Sequence, residues 1–231
     1  MFQNISSVGN FIDTIIYVLP CIIIALTLHE IGHGLMAYWL GDHTAKRDGR
    51  LSLNPLKHID PIGFILIILV GFSWAKPVMV NPYNLKDPKK DMALISLAGP
   101  LVNFILALIG VFIIYLLAIL GAVGYSHAGY SFYTANSVMG YFGNLIITFI
   151  SLNITLAVFN LLPIPPLDGS KFFGYILPDR LYYRYIGMGG SYAMIAVFVV
   201  IIALNGVLSQ IMNFVFNIFM GLGDKIYFLI K

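Results

Sequence analysis

Five long runs of apolar residues dominate the pattern of hydrophobic and polar positions along this chain. Their approximate bounds are Phe11 to Leu40, Met92 to Val123, Val138 to Leu162, Met188 to Leu204 and Val207 to Ile230. An α-helix needs about 20 consecutive apolar residues to cross the hydrocarbon core of a bilayer. Each run is near or above that length, so the pattern predicts about five transmembrane helices.

A sixth apolar run, Ile62 to Trp74, is too short to cross a bilayer as a helix. It is rich in β-branched and aromatic residues and contains Gly63 and Gly71, which favours a re-entrant or interfacial β-hairpin. We therefore predict an all-α multi-pass membrane protein with one hairpin-like segment between the first and second helices. Residues 1–231 would form a single polytopic domain, with a connection over about residues 42–90.

The overall composition agrees with a membrane protein and excludes an ordinary soluble domain. Hydrophobic residues make up 59% of the chain and charged residues only 10%. The formal net charge of +3 gives no reason to expect nucleic-acid binding. The one cysteine, Cys21, excludes an intramolecular disulfide. No basic segment precedes the first apolar run, which we interpret as a retained span and not a signal peptide.

The distribution of positive charge predicts how the helices are oriented. Eight lysines and arginines lie in or beside the first connection, namely Lys46, Arg47, Arg50, Lys57, Lys76, Lys86, Lys89 and Lys90. The segment from Gly124 to Ser137 has none. Because cytoplasmic loops carry an excess of lysine and arginine, the first connection is predicted to be cytoplasmic and the second to be outside. With five crossings of the cell membrane, Lys225 and Lys231 at the chain end would also be cytoplasmic.

Within the first apolar run, His29-Glu30-Ile31-Gly32-His33 has the H-E-x-x-H spacing of a helical zinc site, and Glu30 is the only glutamate of the chain. Residues four apart lie on one face of a helix, so both imidazoles can reach one metal ion. Glu30 beside them is suited to accept a proton from a metal-bound water. One ionisable residue inside a membrane helix costs about 2.5–3.5 kcal/mol, so three together indicate a function.

Two other interpretations of this triplet remain open at this point. The histidines can serve as hydrogen-bond donors in helix packing, and Glu30 can be the proton-relay carboxylate of a transporter.

A catalytic zinc usually has three protein ligands and one open position, so a third ligand is needed. Asp168 is the candidate, because it follows the third apolar run in a segment broken by Pro163, Pro165 and Pro166. Such a break frees a loop that can turn a carboxylate inward. Alternatively, Asp168 is the N-cap of a short helix beginning at Gly169.

Asn160, upstream of the prolines, also has two interpretations. Its amide can bond to a neighbouring helix, as those of Asn144 and Asn153 can, or it can donate to an oxyanion beside the metal. Asn103, which follows the Gly99-Pro100 pair in the second apolar run, is interpreted as structural support for the metal site.

Several motifs together resemble those of the site-2 protease family of intramembrane zinc metalloproteases, in its small prokaryotic branch without a PDZ or CBS domain. The matching stretches are His29-Glu30-Ile31-Gly32-His33, Gly49-Arg50-Leu51-Ser52-Leu53-Asn54-Pro55, Trp74-Ala75-Lys76-Pro77-Val78, Ala98-Gly99-Pro100-Leu101-Val102-Asn103, Asn160-Leu161-Leu162-Pro163 and Pro166-Leu167-Asp168-Gly169. The paired motifs are far more specific than any one of them alone.

The resemblance implies a zinc metalloendopeptidase that holds one Zn²⁺ per chain through His29, His33 and Asp168. It further implies that Glu30 is the catalytic base and that Asn160 stabilises the oxyanion. The expected substrate is a transmembrane protein or peptide cleaved within the bilayer, with the active site towards the cytoplasmic leaflet. The stretch Phe72 to Val80 either adds the unwound substrate as a β-strand or forms a plug over the site.

The main alternative function is that of a transporter or metal-ion carrier, in which the histidines, Glu30 and Asp168 would form a permeation site. A second alternative is an inactive relative that binds membrane segments without cutting them.

Overall fold

Four long helices make up most of the computed structural model, which describes residues 8–58, 60, 76–127, 129–134, 137–187 and 193–231. They are α1 (Val8–Trp39), α3 (Pro88–Ile119), α4 (Ser137–Asn160) and α7 (Ala193–Ile230). Each contains a stretch that is long and apolar enough to cross a membrane, so the described residues hold four candidate spans. The prediction of a multi-pass membrane protein is thereby confirmed.

Short elements lie between these helices. They are α2 (Thr44–Arg47), 3-10 turns at Pro55–Lys57 and Pro82–Asn84, strands β1 (Gly124–Ser126) and β2 (Ser131–Tyr133), and helices α5 (Asp168–Gly174) and α6 (Asp179–Gly187). The strands pair in antiparallel register, with Tyr125 opposite Phe132. The all-α prediction therefore omitted a small two-stranded sheet between the second and third membrane helices.

The two last predicted spans, Met188 to Leu204 and Val207 to Ile230, are not separated by a turn. Residues from Ala193 to Ile230 form one helix, so the count of five spans is not confirmed. Asn205 and Gly206 do not interrupt it, because a lone glycine costs a helix only about 1 kcal/mol and no proline is present. The 38 residues extend about 57 Å at 1.5 Å per residue, well beyond the hydrocarbon thickness.

This continuity changes the predicted position of the chain end. The C-terminal part of α7 packs beside the C-terminal end of α3, where Gly223 lies against Tyr115. Lys225 and Lys231 therefore lie at the β1–β2 end of the bundle, and not on the side of the first connection as predicted.

The whole hairpin-like segment predicted at Ile62 to Trp74 lies outside the described residues. The described residues on either side of it come together, because the backbone N–H of Lys76 donates to the carbonyl of His58 at 2.8 Å. The backbone at His58 and at Lys76 therefore lies side by side.

Helix α3 is the central support of the bundle, since it packs against α1, α4 and α7. The hydrophobic core around the C-terminal half of α3 is formed by buried residues from α3, α4 and α7. They include Ala107, Val111, Ile114, Tyr115, Ile150, Ile154 and Met220. Tyr115 is 2% exposed and donates its hydroxyl to the carbonyl of Met220 at 3.0 Å. Membrane helices associate through such close packing and interhelical hydrogen bonds.

The single crossing of α7 predicts that both chain termini lie on one side of the membrane, opposite to the α1–α3 connection. Cysteines introduced near the N-terminus and after Ile230 should react with a membrane-impermeant thiol reagent from the same side, in a Cys21→Ala background. A cysteine at the exposed Lys86 should react from the other side. Labelling of the two termini from opposite sides would contradict the continuous helix.

Candidate metal centre

The two motif histidines lie on one face of α1, one turn apart, inside the helix bundle. His29, Glu30 and His33 are 4%, 7% and 8% exposed, respectively. The two imidazole rings meet edge to face with centroids 4.6 Å apart, and their Nε2 atoms are separated by 3.0 Å. The H-E-x-x-H spacing therefore forms on a buried helix, as the sequence predicted.

Hydrogen bonds at the opposite ring nitrogens decide which atom of each imidazole is free. His33 Nδ1 lies 2.7 Å from the carbonyl of Ile95, which can only accept, so this nitrogen carries the proton. His29 Nδ1 lies 2.6 Å from Asn103 Oδ1, and Asn103 Nδ2 donates to Asn153 Oδ1 at 2.9 Å. The oxygen of Asn103 thus accepts from His29, and both Nε2 atoms keep their lone pairs for a metal.

Asp168 reaches the same point from a distant part of the sequence. Its Oδ2 lies 3.2 Å from His29 Nε2 and 3.1 Å from His33 Nε2. Asp168 is the first residue of α5, and the N-cap position belongs to Leu167, so the capping alternative does not describe this side chain. Its other oxygen faces Lys171 at 3.9 Å.

The three converging atoms fit a divalent cation. Their mutual distances of 3.0–3.2 Å are close to the separation of about 3.3 Å between neighbouring ligands of a tetrahedral zinc with bonds near 2.0–2.1 Å. Two imidazole lone pairs and a carboxylate repel one another unless a cation or proton lies between them. Among the described residues this is the one group of three or more potential metal ligands. Two nitrogens and one carboxylate oxygen favour zinc.

Gly99 of α3 makes room for the two imidazoles. A Cβ atom at this position would lie 2.4 Å from His33 Nε2 and 2.6 Å from His29 Cε1. Asn103, one turn further along α3, accepts a hydrogen bond from His29. Helix α3 therefore supports the histidines at both positions, in agreement with the predicted supporting role of this stretch.

Gly169 permits a second close approach. A Cβ atom there would lie 2.2 Å from the carbonyl oxygen of Leu161, so the start of α5 packs directly on the chain that leaves α4. This contact fixes the position of Asp168 immediately before it.

Glu30 has a partner that the sequence did not reveal. The backbone N–H of Val78 donates to Glu30 Oε2 at 2.8 Å. Val78 belongs to the stretch Phe72 to Val80, of which residues 76–80 are described and lie outside helices and strands. No local sequence signal indicates a contact over 48 positions, because it depends on how the chain returns to α1.

Asn160 is half-buried at the end of α4 and donates one amide hydrogen to the carbonyl of Leu156 at 2.9 Å. Its role as an oxyanion donor stays a prediction. Asn153, by contrast, bonds to Asn103 of the neighbouring helix α3, as expected of an amide in a membrane helix.

Two of the remaining histidines lie away from the centre. His58 is 1% exposed and its Nε2 bonds to the carbonyl of Ser52. His127 contacts Asp224 at the opposite end of the bundle, with 2.7 Å between Nδ1 and Oδ2.

Comparison with known proteins identifies the family to which this site belongs. The family model described as Peptidase family M50 matches residues 17–204, a range that contains both histidines, Glu30 and Asp168. The chain belongs to peptidase family M50. This is the site-2 protease family, so the family indicated by the motifs is confirmed.

Relatives within the M50 family carry names of the same kind. The chain is 43% identical over 162 residues to "Putative zinc metalloprotease YwhC" of Bacillus subtilis, covering 70% of this chain and 69% of the relative. It is 30% identical over 167 residues to "Putative zinc metalloprotease Rip2" of Mycolicibacterium smegmatis, covering 69% and 57%. "Putative zinc metalloprotease MJ0611" of Methanocaldococcus jannaschii is 34% identical over 110 residues, 48% of each chain. No solved structure matches.

The close approach of α3 predicts that Gly99→Ala weakens zinc binding. The new methyl group would overlap both imidazoles, and overpacking costs about 1–3 kcal/mol, which corresponds to about a five- to 150-fold loss of affinity. Gly143→Ala is the control, because a Cβ atom at that helical glycine meets nothing within 4 Å. Zinc titration against a competing chelator measures both. Unchanged affinity in Gly99→Ala would contradict the steric argument.

The bond between His29 and Asn103 predicts a separate effect. Asn103→Leu removes the acceptor that orients the ring, and loss of such a partner typically costs about 10- to 100-fold in metal affinity or activity. Asn144→Leu, at an exposed position of the bundle, should leave zinc affinity unchanged. The same chelator competition measures both variants, and equal affinities would show that Asn103 does not hold His29 for the metal.

Proposed function

We propose that this M50 member is an intramembrane zinc metalloendopeptidase that hydrolyses a peptide bond within or near a transmembrane segment of a membrane-protein substrate. The main support is the convergence of His29 Nε2, His33 Nε2 and Asp168 Oδ2 within 3.2 Å of one another, beside the buried Glu30. The names of the relatives agree with this reaction class.

One zinc ion would be held by His29, His33 and Asp168. The chemistry that zinc supplies in such a site is a lowered pKa of bound water, to about 7, and polarisation of the carbonyl to be attacked.

Glu30 is the proposed general base. Its Oε2 is occupied by the Val78 N–H at 2.8 Å, which fixes the carboxylate and leaves Oε1 to accept a proton from the attacking water. Because the side chain is 7% exposed, competing bulk water is largely excluded from it. The same carboxyl group then returns the proton to the leaving amine.

Asn160 is proposed to stabilise the oxyanion with the amide hydrogen that is not donated to Leu156. The substrate must first unwind, since the carbonyls of an intact helix are engaged in hydrogen bonds four residues apart. Glycine, proline or polar residues in the substrate segment would make this unwinding easier.

We further propose that the site faces the cytoplasmic leaflet. The α1–α3 connection, at the site end of the bundle, carries Lys46, Arg47, Arg50, Lys57, Lys76 and Lys86, and residues 120–136 contain no lysine or arginine. By the positive-inside rule the charged connection stays in the cytoplasm.

Replacement of the proposed base separates catalysis from metal binding. Glu30→Gln keeps the shape of the side chain and an oxygen for the Val78 N–H, but it cannot accept a proton as a base. We expect unchanged zinc content and about a 10²- to 10⁴-fold loss of cleavage, the usual contribution of general acid–base catalysis. The assay uses purified protein in bilayers and a panel of single-span peptides, with the exposed Asp48→Asn as a control of equal charge change.

Two results would contradict the proposal. Full cleavage by Glu30→Gln would remove this residue from the mechanism, and folded protein that binds no zinc would remove the peptidase itself. A carrier would instead move zinc into sealed vesicles without cutting any peptide, so zinc uptake is measured in the same preparations.

A further inference from the structure

A segment of the α1–α3 connection that is neither helix nor sheet strand lies along α1 beside the metal centre, and we name residues Lys76–Asn81 the strap. Its side chains alternate, with Pro77 and Met79 exposed and Val78 and Val80 half-buried. Val78 lies over Gly34, where a Cβ atom would be 3.6 Å from Val78 Cγ1. The strap therefore has one face against the bundle and one face away from it.

The strap is attached to α1 at two points. The N–H of Val78 donates to Glu30 Oε2 at 2.8 Å, and the N–H of Asn81 donates to Asp42 Oδ2 at 2.7 Å. Asp42 lies at the end of α1, because its own N–H donates to the carbonyl of Ala37 at 2.9 Å.

The distance between these anchors matches the length of the strap. From Glu30 to Ala37 a helix rises about 10 Å, at 1.5 Å per residue. From Val78 to Asn81 even a fully extended chain covers only about 10 Å, at about 3.3 Å per residue. The strap therefore has little slack, and release of one anchor should free the other.

Asp42 is built as an anchor. It is 0% exposed, and every group bonded to its carboxylate donates. Oδ1 accepts from the Thr44 N–H at 3.1 Å, the Thr44 hydroxyl at 2.6 Å and Asn84 Nδ2 at 2.7 Å, and within the described part of the chain Oδ2 accepts from Asn81 alone. Burial raises the pKa of Asp42, but these hydrogen bonds lower it by more, so the group stays ionised at neutral pH.

We propose that Asp42 is a positioning residue for the base Glu30, acting through the strap, whose Val78 N–H holds one carboxylate oxygen in place. This inference rests on the proposed function. It assigns a role in the reaction to a side chain that lies outside the metal centre and touches neither the ligands nor Glu30.

The partner geometry makes Asp42→Asn a selective test. An amide has one accepting oxygen and one donating NH₂ group. The oxygen is best placed at the Oδ1 position, where Thr44 and Asn84 donate, so the NH₂ group is turned to Asn81 and opposes its N–H. The substitution should thus keep the loop at the end of α1 and release the strap.

Hydrogen exchange and peptide cleavage are measured together on the zinc-loaded protein. In Asp42→Asn we expect at least tenfold faster exchange of the Val78 and Asn81 amides, unchanged zinc content, and a kcat lowered about tenfold or more with KM changed less than twofold. Misplacement of a catalytic group by about 1 Å can cost 10²-fold in rate. The control variant Asp48→Asn changes an exposed residue of the same connection. It should match the unaltered chain in amide exchange, zinc content, kcat and KM.

A second pair of variants tests the other anchor. Val78→Pro removes the N–H that holds Glu30, and Val78→Ala keeps it while shortening the side chain. We expect Val78→Pro to reproduce the loss of kcat, Val78→Ala to lose less kcat than Val78→Pro, and the double variant Asp42→Asn/Val78→Pro to lose no more than either single variant. Such non-additivity is the signature of two residues acting through one element.

Distinct results would overturn the inference. For Asp42→Asn, these results are unchanged hydrogen exchange of the Val78 and Asn81 amides, an unchanged kcat despite faster exchange, or loss of bound zinc. For the double variant, the result is a loss of kcat equal to the sum of the two single losses in free energy. Absence of cleavage by the unaltered chain would instead overturn the proposed function, and this inference with it.

Discussion

The rest of the structure depends on three electron-pair donors that face one another inside an apolar helix bundle. His29 and His33 cannot turn away, because their opposite ring nitrogens are bonded to Asn103 and to the carbonyl of Ile95. Asp168 completes the group at 3.1–3.2 Å from both Nε2 atoms. In a medium of low dielectric this arrangement is strongly repulsive without a cation, so a bound metal ion would stabilise the fold and the fold would position its ligands.

The bundle makes this arrangement possible by removing side chains where backbones must approach. At Gly99 of α3 a Cβ atom would overlap the two imidazoles. At Gly169 of α5 a Cβ atom would overlap the backbone that leaves α4. Small residues are the usual means of close helix packing in membranes, where no water drives apolar surfaces together. The described bundle thus holds the candidate metal centre by close contacts and interhelical hydrogen bonds.

The opposite end of the bundle is closed by a separate polar group. Tyr125 donates to Asp224, His127 contacts the same carboxylate, and Tyr115 bonds to Tyr125. These contacts tie the β1–β2 hairpin to the end of α7. They hold α3 and α7 together far from the metal, which leaves α3 as the common frame of both ends.

Sequence reasoning succeeded where a local pattern determines the structure. Apolar runs predicted α1, α3 and α4, and the four-residue spacing placed His29 and His33 on one helix face. Asp168 is the candidate third ligand because a metal with two histidines needs a further one and the prolines indicate where a carboxylate can turn inward, and its Oδ2 lies 3.1–3.2 Å from both Nε2 atoms. The sequence predicts that Asn103 supports the metal site, but it does not identify His29 as the side chain to which Asn103 bonds.

Other features depend on contacts that a local pattern does not encode. The continuity of α7 was missed because the polar pair Asn205-Gly206 divides the apolar sequence without breaking the helix. The β1–β2 hairpin is not evident from the sequence, because strands of three residues are too short to show the alternation of apolar and polar positions that indicates a strand. The bonds of Val78 to Glu30 and of Asn81 to Asp42 join residues 48 and 39 positions apart, and only the path of the chain creates them.

The most direct test of the central claim is X-ray absorption at the zinc edge of the purified, membrane-reconstituted chain. The account predicts one zinc per chain, with two imidazole nitrogens at about 2.0–2.1 Å and a carboxylate oxygen at about 2.0–2.2 Å in its shell. The carboxylate signal should vanish in Asp168→Ala, while the imidazole signals remain. A zinc shell without imidazole, or one that is the same with and without Asp168, would contradict the account.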